Sequence, residues 1–251
     1  MEYPDLRNLT VCRNVLEDAA IRKLIAIRLQ DGALSGAAEN AKTEAPFLRS
    51  ELAALLIQQA ETLGISGNVL PAYIVHLLAE GGNTAANTIE ACGAYGRGLL
   101  ESTEGDMSLL LPFLSAKTSD IVGKNFCCLD DYQPANKECG PFEKKLQQRL
   151  LQLKTAASAA RHLLEHYKKW GSGMMARYTA FRLGADGTLT GIADFPVFKW
   201  DDLLGYEDQK YKLMANTQNF LAGRPANNVL LTGARGTGKS TGVKALAAMF
   251  S

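Results

Sequence analysis

The sequence predicts a mostly α N-terminal region, then a short β-hairpin, then the start of an α/β domain. Three observations carry this reading. As far as Trp170, apolar residues recur at helical spacing between proline starts and glycine stops. Across residues 177–192 the period changes to alternation among β-formers. Finally, an apolar run that reads as a buried strand (Val229, Leu230, Leu231, Thr232), a glycine-rich loop and a second helical pattern follow one another closely.

The helical region divides as follows. Asn14 is the expected N-cap of a helix over residues 15–29, stopped at Asp31-Gly32. Pro46 in a first-turn position opens a helix over residues 47–63, where Leu48, Leu52, Leu55, Leu56, Gln59 and Leu63 share a face, and Gly64 closes it. Pro71 opens the next, through Ala79, with Gly81-Gly82 as the stop. Residues 84–100 and 106–114 read as helices weakened by glycines and Pro112. Pro141 opens a long helix to about Trp170, ended by Gly171-Ser172-Gly173. The hairpin is expected from residues 177–183 and 188–192 around the turn Gly184-Ala185-Asp186-Gly187. These readings place a helical domain at residues 1–170, a hairpin and linker at 171–200, and an α/β domain from 201 to 251.

Composition narrows the class. The chain has 251 residues, 47% hydrophobic and 21% charged, which is ordinary for a soluble protein with one large or two small cores. A net charge of +1 offers no global field for nucleic acid. No apolar stretch approaches the roughly 20 residues that span a bilayer, and no basic-then-apolar leader opens the chain, so the expected location is cytoplasmic with no membrane partner. The cysteines, Cys12, Cys92, Cys127, Cys128 and Cys139, are odd in number and irregular in spacing, against a disulfide framework. A metal site drawn from Cys127, Cys128 and Cys139 with His162 and His166 is disfavoured, because adjacent cysteines lack zinc-ligand spacing.

The sharpest signal is Gly233-Ala234-Arg235-Gly236-Thr237-Gly238-Lys239-Ser240, which fits GxxxxGK[ST] at every fixed position. A polyphosphate needs many donors in a small concave space. Glycines let successive backbone N–H groups converge there, and the helix beginning about Thr241 presents its positive end. Lys239 is expected to reach the β- and γ-phosphates and Ser240 to place its hydroxyl on Mg²⁺. Arg235 has two readings, a phosphate contact or a solvated arginine. This motif makes the last segment the start of a P-loop NTPase domain.

Upstream, a hydrophobic-Gly-x-acidic segment opens a helix roughly 25–30 residues before the loop. Three stretches, residues 202–210, 216–223 and 225–240, resemble one bacterial family of AAA+ ATPases, the domain of unknown function 815. The resemblance covers about a fifth of the chain, residues 201–251, and such proteins also carry a helical region ahead of the ATPase domain. It implies that Leu204, Gly205 and Tyr206 border adenine, and that Gly233, Gly236, Gly238, Lys239 and Ser240 hold phosphates and Mg²⁺. It implies an ATP hydrolase that couples MgATP to conformational change, as a homo-oligomer acting on a protein client. The acidic strand motif, polar sensor and arginine finger of that superfamily are expected beyond Ser251, so this chain by itself is expected to be inactive in hydrolysis. Two other readings stand beside it: another P-loop class, such as a kinase or GTPase, and a non-catalytic helical interaction protein with a vestigial loop.

Overall fold

The computed structural model describes residues 3–33, 40–135, 141–178, 180–192, 196 and 198–250. The chain divides into two compact units, Met1–Tyr178 and Thr179–Ser251. The described residues are mostly helical, with one small two-stranded antiparallel sheet.

The first unit carries α1 (Ala19–Ala33), α2 (Asn40–Leu63), α3 (Val69–Ala79), α4 (Thr84–Cys92), α5 (Arg97–Leu114), α6 (Thr118–Val122), α7 (Pro141–Leu150), α8 (Ala156–Trp170) and α9 (Gly173–Arg177). Its core is built on α3. Every residue of that helix except Leu77 is buried, as expected of a helix that is apolar all round. Helices α2, α5, α6 and α7 pack against it, while α8 packs on α5 and α1 on α2. Fully buried side chains such as Ile74, Leu78, Leu56 and Phe113 each contribute about 1.5–3 kcal/mol relative to exposure.

Polar groups inside this core fix its register. Asp18 accepts from the N–H groups of Ala20 (2.9 Å) and Ile21 (3.1 Å), capping α1, and from the Tyr73 hydroxyl (2.7 Å), which ties α1 to α3. Asp106 is buried on α5, where its carboxylate accepts from Thr10 N, Thr10 Oγ1 and Cys12 N at 2.9, 3.0 and 2.7 Å. That carboxylate and burial together push the Cys12 thiol well up, burial being the larger cause. Asn68 Oδ1 accepts from Thr118 N and Oγ1, while Thr118 Oγ1 accepts from Leu70 N, so the starts of α3 and α6 cap each other. A buried His76–Glu143 pair, 2.8 Å, joins α3 to α7.

The second unit carries β1 (Phe181–Leu183), β2 (Leu189–Gly191), α10 (Glu207–Leu221) and α11 (Lys239–Met249). The strands pair antiparallel with Phe181 opposite Gly191 and Leu183 opposite Leu189. Asp186 closes their turn by accepting from Thr188 N and Oγ1. Among the described residues of this unit, the buried apolar side chains are those of Ala245 and Leu246, a much smaller core than the helical unit has.

Several boundaries differ from the expectations. The first helix starts at Ala19 because Asp18 caps it; Asn14 instead lies in a 3₁₀ turn and donates to Gly81 O. It also runs past Asp31-Gly32 to Ala33. Pro46 lies inside α2, on an exposed side where the lost donor is tolerated. Gly93 (φ 67°) ends α4, whereas residues 97–114 form one helix, because Gly98 and Gly105 stay helical and the buried Asp106 anchors the middle. The helix expected from Pro141 to Trp170 is two, α7 and α8, since Thr155 breaks it and caps α8 by accepting from Ser158 N. Arg177 closes α9 instead of opening the hairpin, held by its ion pair with Glu80. Residues 229–232 form no strand, because among the described residues no second strand meets their backbone groups.

No helix among the described residues is long and apolar enough to cross a membrane. Cys12 is buried, and Cys92, Cys127 and Cys128 are exposed thiols; Cys139 lies outside the described residues. Among the described residues, no group of three or more His, Cys, Asp or Glu side chains is placed to hold a metal.

His166 gives the helical unit a measurable acid limb. Burial, with His162 beside it, pushes its imidazole from 6.5 down to about 4 against a smaller opposing effect of Glu143. The unfolded chain therefore takes up the proton first as pH falls. The contribution of neutral His166 is complete above pH 6.5 and is lost progressively as pH drops to about 4, an effect of about 3 kcal/mol. His166→Gln is expected to flatten the fall in unfolding free energy between those pH values, measured by urea titration. An unchanged slope would refute this assignment.

Candidate phosphate-binding site

The approach to the loop is set by α10. Gly223 (φ 66°) ends the helix, and Asn216 then reaches across to residue 227. Its Nδ2 donates to Asn227 O and its Oδ1 accepts from Asn227 N, both at 2.9 Å. This two-point clamp does the work of a pair of ladder bonds and fixes where residues 229–232 leave the helix. Val229, Leu230 and Leu231 are exposed.

The loop that follows needs glycine at three places. Gly233, Gly236 and Gly238 have φ of 146°, 86° and 77°, conformations that L side chains rarely adopt. Gly238 is the N-cap of α11. The ammonium of Lys239 folds back over the loop and donates to Gly233 O (2.9 Å), Ala234 O (2.6 Å) and Thr237 Oγ1 (3.2 Å). Its three protons meet three acceptors, so the charge is held over the loop by the loop's own oxygens. Thr237 Oγ1 in turn donates to Ala234 O at 2.9 Å. Ser240 and Thr241 occupy the first turn of α11, where backbone N–H groups lack intrahelical acceptors, and Ser240 is exposed.

A second wall faces this loop. Residues 200–202 form a 3₁₀ turn, after which Leu203 lies against α11. A Cβ added at Gly238 would fall 3.4 Å from Leu203 Cδ2, and one at Gly242 3.9 Å from Leu203 Cδ1, so both glycines make room for that side chain. Gly205 (φ 78°) and Tyr206 (φ 60°, ψ 37°) then turn the chain into α10. Among the described residues, Tyr206 is the single non-glycine with positive φ. A left-handed bulky residue costs on the order of 1–2 kcal/mol and persists where its surroundings impose it.

The two walls enclose a cleft of about 460 Å³. Leu204, Gly205 and Tyr206 line one side of it, and Arg235, Gly236, Thr237, Gly238 and Lys239 the other. Gly233 and Ala234 serve as acceptors for Lys239, and Ser240 and Thr241 begin the helix beyond the lining. The cleft also contains residues that sequence reasoning missed: Leu203, Gln209, Lys210, Leu213 and Asp202. A signal for part of that set was present, since Tyr206, Gln209, Lys210 and Leu213 fall at i, i+3, i+4 and i+7 on one helix face.

Residues 175–251 match the family described as Protein of unknown function (DUF815). No curated protein and no solved structure matches the chain significantly. The DUF815 match starts before the hairpin, so β1 and β2 belong to the same family-like segment as the cleft, well upstream of the stretch whose motifs carry the resemblance.

Gly205→Val tests the wall of this DUF815-like segment. A Cβ at Gly205 meets nothing within 4 Å, so the cost lies in the backbone angle alone. If the cleft takes MgATP, as the resemblance implies, the expected outcome is unchanged helicity by circular dichroism and an affinity about tenfold weaker, because the turn lining the cleft relaxes away from φ 78°. Unaltered affinity with normal helicity would remove Leu204, Gly205 and Tyr206 from the site.

Proposed function

We propose that the Thr179–Ser251 unit binds MgATP in the cleft between the Leu204-Gly205-Tyr206 turn and the glycine loop, as part of an AAA+-type ATPase. The observation that carries this is the shared cleft. Two segments well apart in sequence line one cavity of about 460 Å³, within the range of small-molecule sites. One wall is apolar, with Leu203, Leu204, Tyr206 and Leu213, and suits a planar base. The other presents loop N–H groups, a helix N-terminus and Lys239, and suits a polyphosphate.

The donor set fits the ligand. Lys239 is held by neutral loop oxygens, and a phosphate oxyanion is a stronger acceptor for the same ammonium. Ser240 stands exposed in the first turn of α11, where its hydroxyl would ligate Mg²⁺, and Asp202 is the acidic side chain among those lining the cleft. Bound Mg²⁺ would neutralise phosphate charge there. The loop alone does not separate this reading from a kinase or GTPase; the Leu204-Gly205-Tyr206 turn, in the place that the AAA+ resemblance gives to adenine, is what favours it. In the full reading the protein is a cytoplasmic homo-oligomer that couples ATP binding and hydrolysis to movement of a protein client.

Lys239→Ala decides the phosphate half. It removes the mobile cation of the loop and is expected to weaken MgATP binding at least about tenfold, measured by isothermal titration calorimetry. Hydrolysis, wherever the protein supports it, should be abolished. Wild-type affinity in the variant would overturn the proposal.

A further inference from the structure

The turn that forms the base-side wall of the cleft is strained, and a single residue holds both of its ends. The backbone N–H of Lys210 donates to Tyr206 O at 2.9 Å as the first α10 hydrogen bond. Its ammonium reaches back and donates to Leu203 O at 2.8 Å. Lys210 therefore spans residues 203–206 as a brace, with Gly205 and Tyr206 in left-handed backbone between the two carbonyls it binds. Leu203, at the far end, is the residue whose methyl groups rest on Gly238 and Gly242. The brace thus reaches the phosphate loop through one side chain.

Ordinary helix electrostatics does not account for a lysine here. A cation near the first turn of α10 opposes the helix dipole, whereas the acids Glu207 and Asp208 complement it. The Glu207 contact, 3.2 Å, is to a carboxylate side chain that is 76% exposed, and such surface pairs contribute little. The Lys210 side chain itself is only 17% exposed and lines the cleft. A charged donor on a carbonyl, shielded from water, is the stronger of its two interactions.

From this geometry we infer that Lys210 is a positioning residue for base recognition: it holds the strained Leu203–Tyr206 turn against the glycine loop, so that the apolar wall and the phosphate loop act on one ligand together. This inference rests on the nucleotide-binding reading above. It assigns Lys210 no contact with the phosphates, which sets it apart from Lys239.

The experiment compares MgATP with magnesium tripolyphosphate, which carries the phosphates and no base, on the whole chain with Trp170→Phe in the background. Trp200, which lines the cleft, is then the single tryptophan and reports binding by its fluorescence. The parent protein is expected to bind MgATP more tightly than tripolyphosphate. Lys210→Met is expected to weaken MgATP about tenfold and leave tripolyphosphate unchanged. Lys210→Arg, which keeps a charged donor, is expected to restore most of the difference. Should Lys210→Met lose helicity, Lys210→Gln carries the same comparison. An equal loss for both ligands, or no loss for either, overturns the positioning role while leaving nucleotide binding intact. Failure of the parent protein to bind either ligand overturns the nucleotide-binding reading itself, and this inference with it.

Discussion

The buried hydroxyl of Tyr167 is the constraint on which the helical unit depends. It donates to Leu78 O at the end of α3 (2.6 Å) and accepts from Asn83 Nδ2 (2.9 Å). Asn83 in turn caps α4 by accepting from Ala86 N. One side chain on α8 therefore fixes where α3 stops and where α4 starts. Its complete burial leaves no water to replace either partner, so losing one bond would strand a buried polar atom. Burial, the main cause, raises its phenol well above its ordinary range and keeps it a neutral donor. Two carboxylates work in a similar way: Asp106 collects donors from Thr10 and Cys12, in chain ahead of the first helix, and Asp18 collects the first N–H groups of α1 together with the Tyr73 hydroxyl of α3.

The second unit is organised on a different principle. It buries few apolar side chains, and its order comes from local hydrogen bonds that substitute for absent layers. The Asn216 amide stands in for a neighbouring strand, the Lys239 ammonium closes on loop carbonyls, and Lys210 braces the turn before α10. These are all short-range devices. Together they hold the cleft in place with little hydrophobic core behind it.

How much was legible in the sequence follows from which interactions are local. The glycine loop, the helix after it and the presence of a helix ahead of it were readable because positive φ, helix initiation and helical period are properties of a few adjacent residues, although α11 starts at Lys239, two residues before the expected Thr241. The hairpin was readable for the same reason, its turn being closed by Asp186 two residues from its partner. The helix boundaries that came out otherwise were each decided from a distance or by competing caps. Asn14 makes its bond to residue 81, and Asp18, a few residues further on, binds both its own helix and Tyr73. Arg177 is drawn into α9 by Glu80. The expected strand at residues 229–232 failed because a strand is a relation between two segments, and only one was visible to local reasoning.

The sequence by itself determined the left-handed glycines of the loop, the helical character of the first unit and the turn chemistry of the hairpin, since each is written in contiguous residue types whose backbone preferences are intrinsic. Only the tertiary structure decided that Leu204, Gly205 and Tyr206 share a cleft with the loop, that Tyr206 carries left-handed backbone, and that Lys210 and Leu203 belong to the same wall. The physical reason is that these depend on where a charged side chain finds a carbonyl and where a leucine finds two glycines without Cβ atoms. Such pairings are chosen by packing in three dimensions, and residue spacing does not encode them.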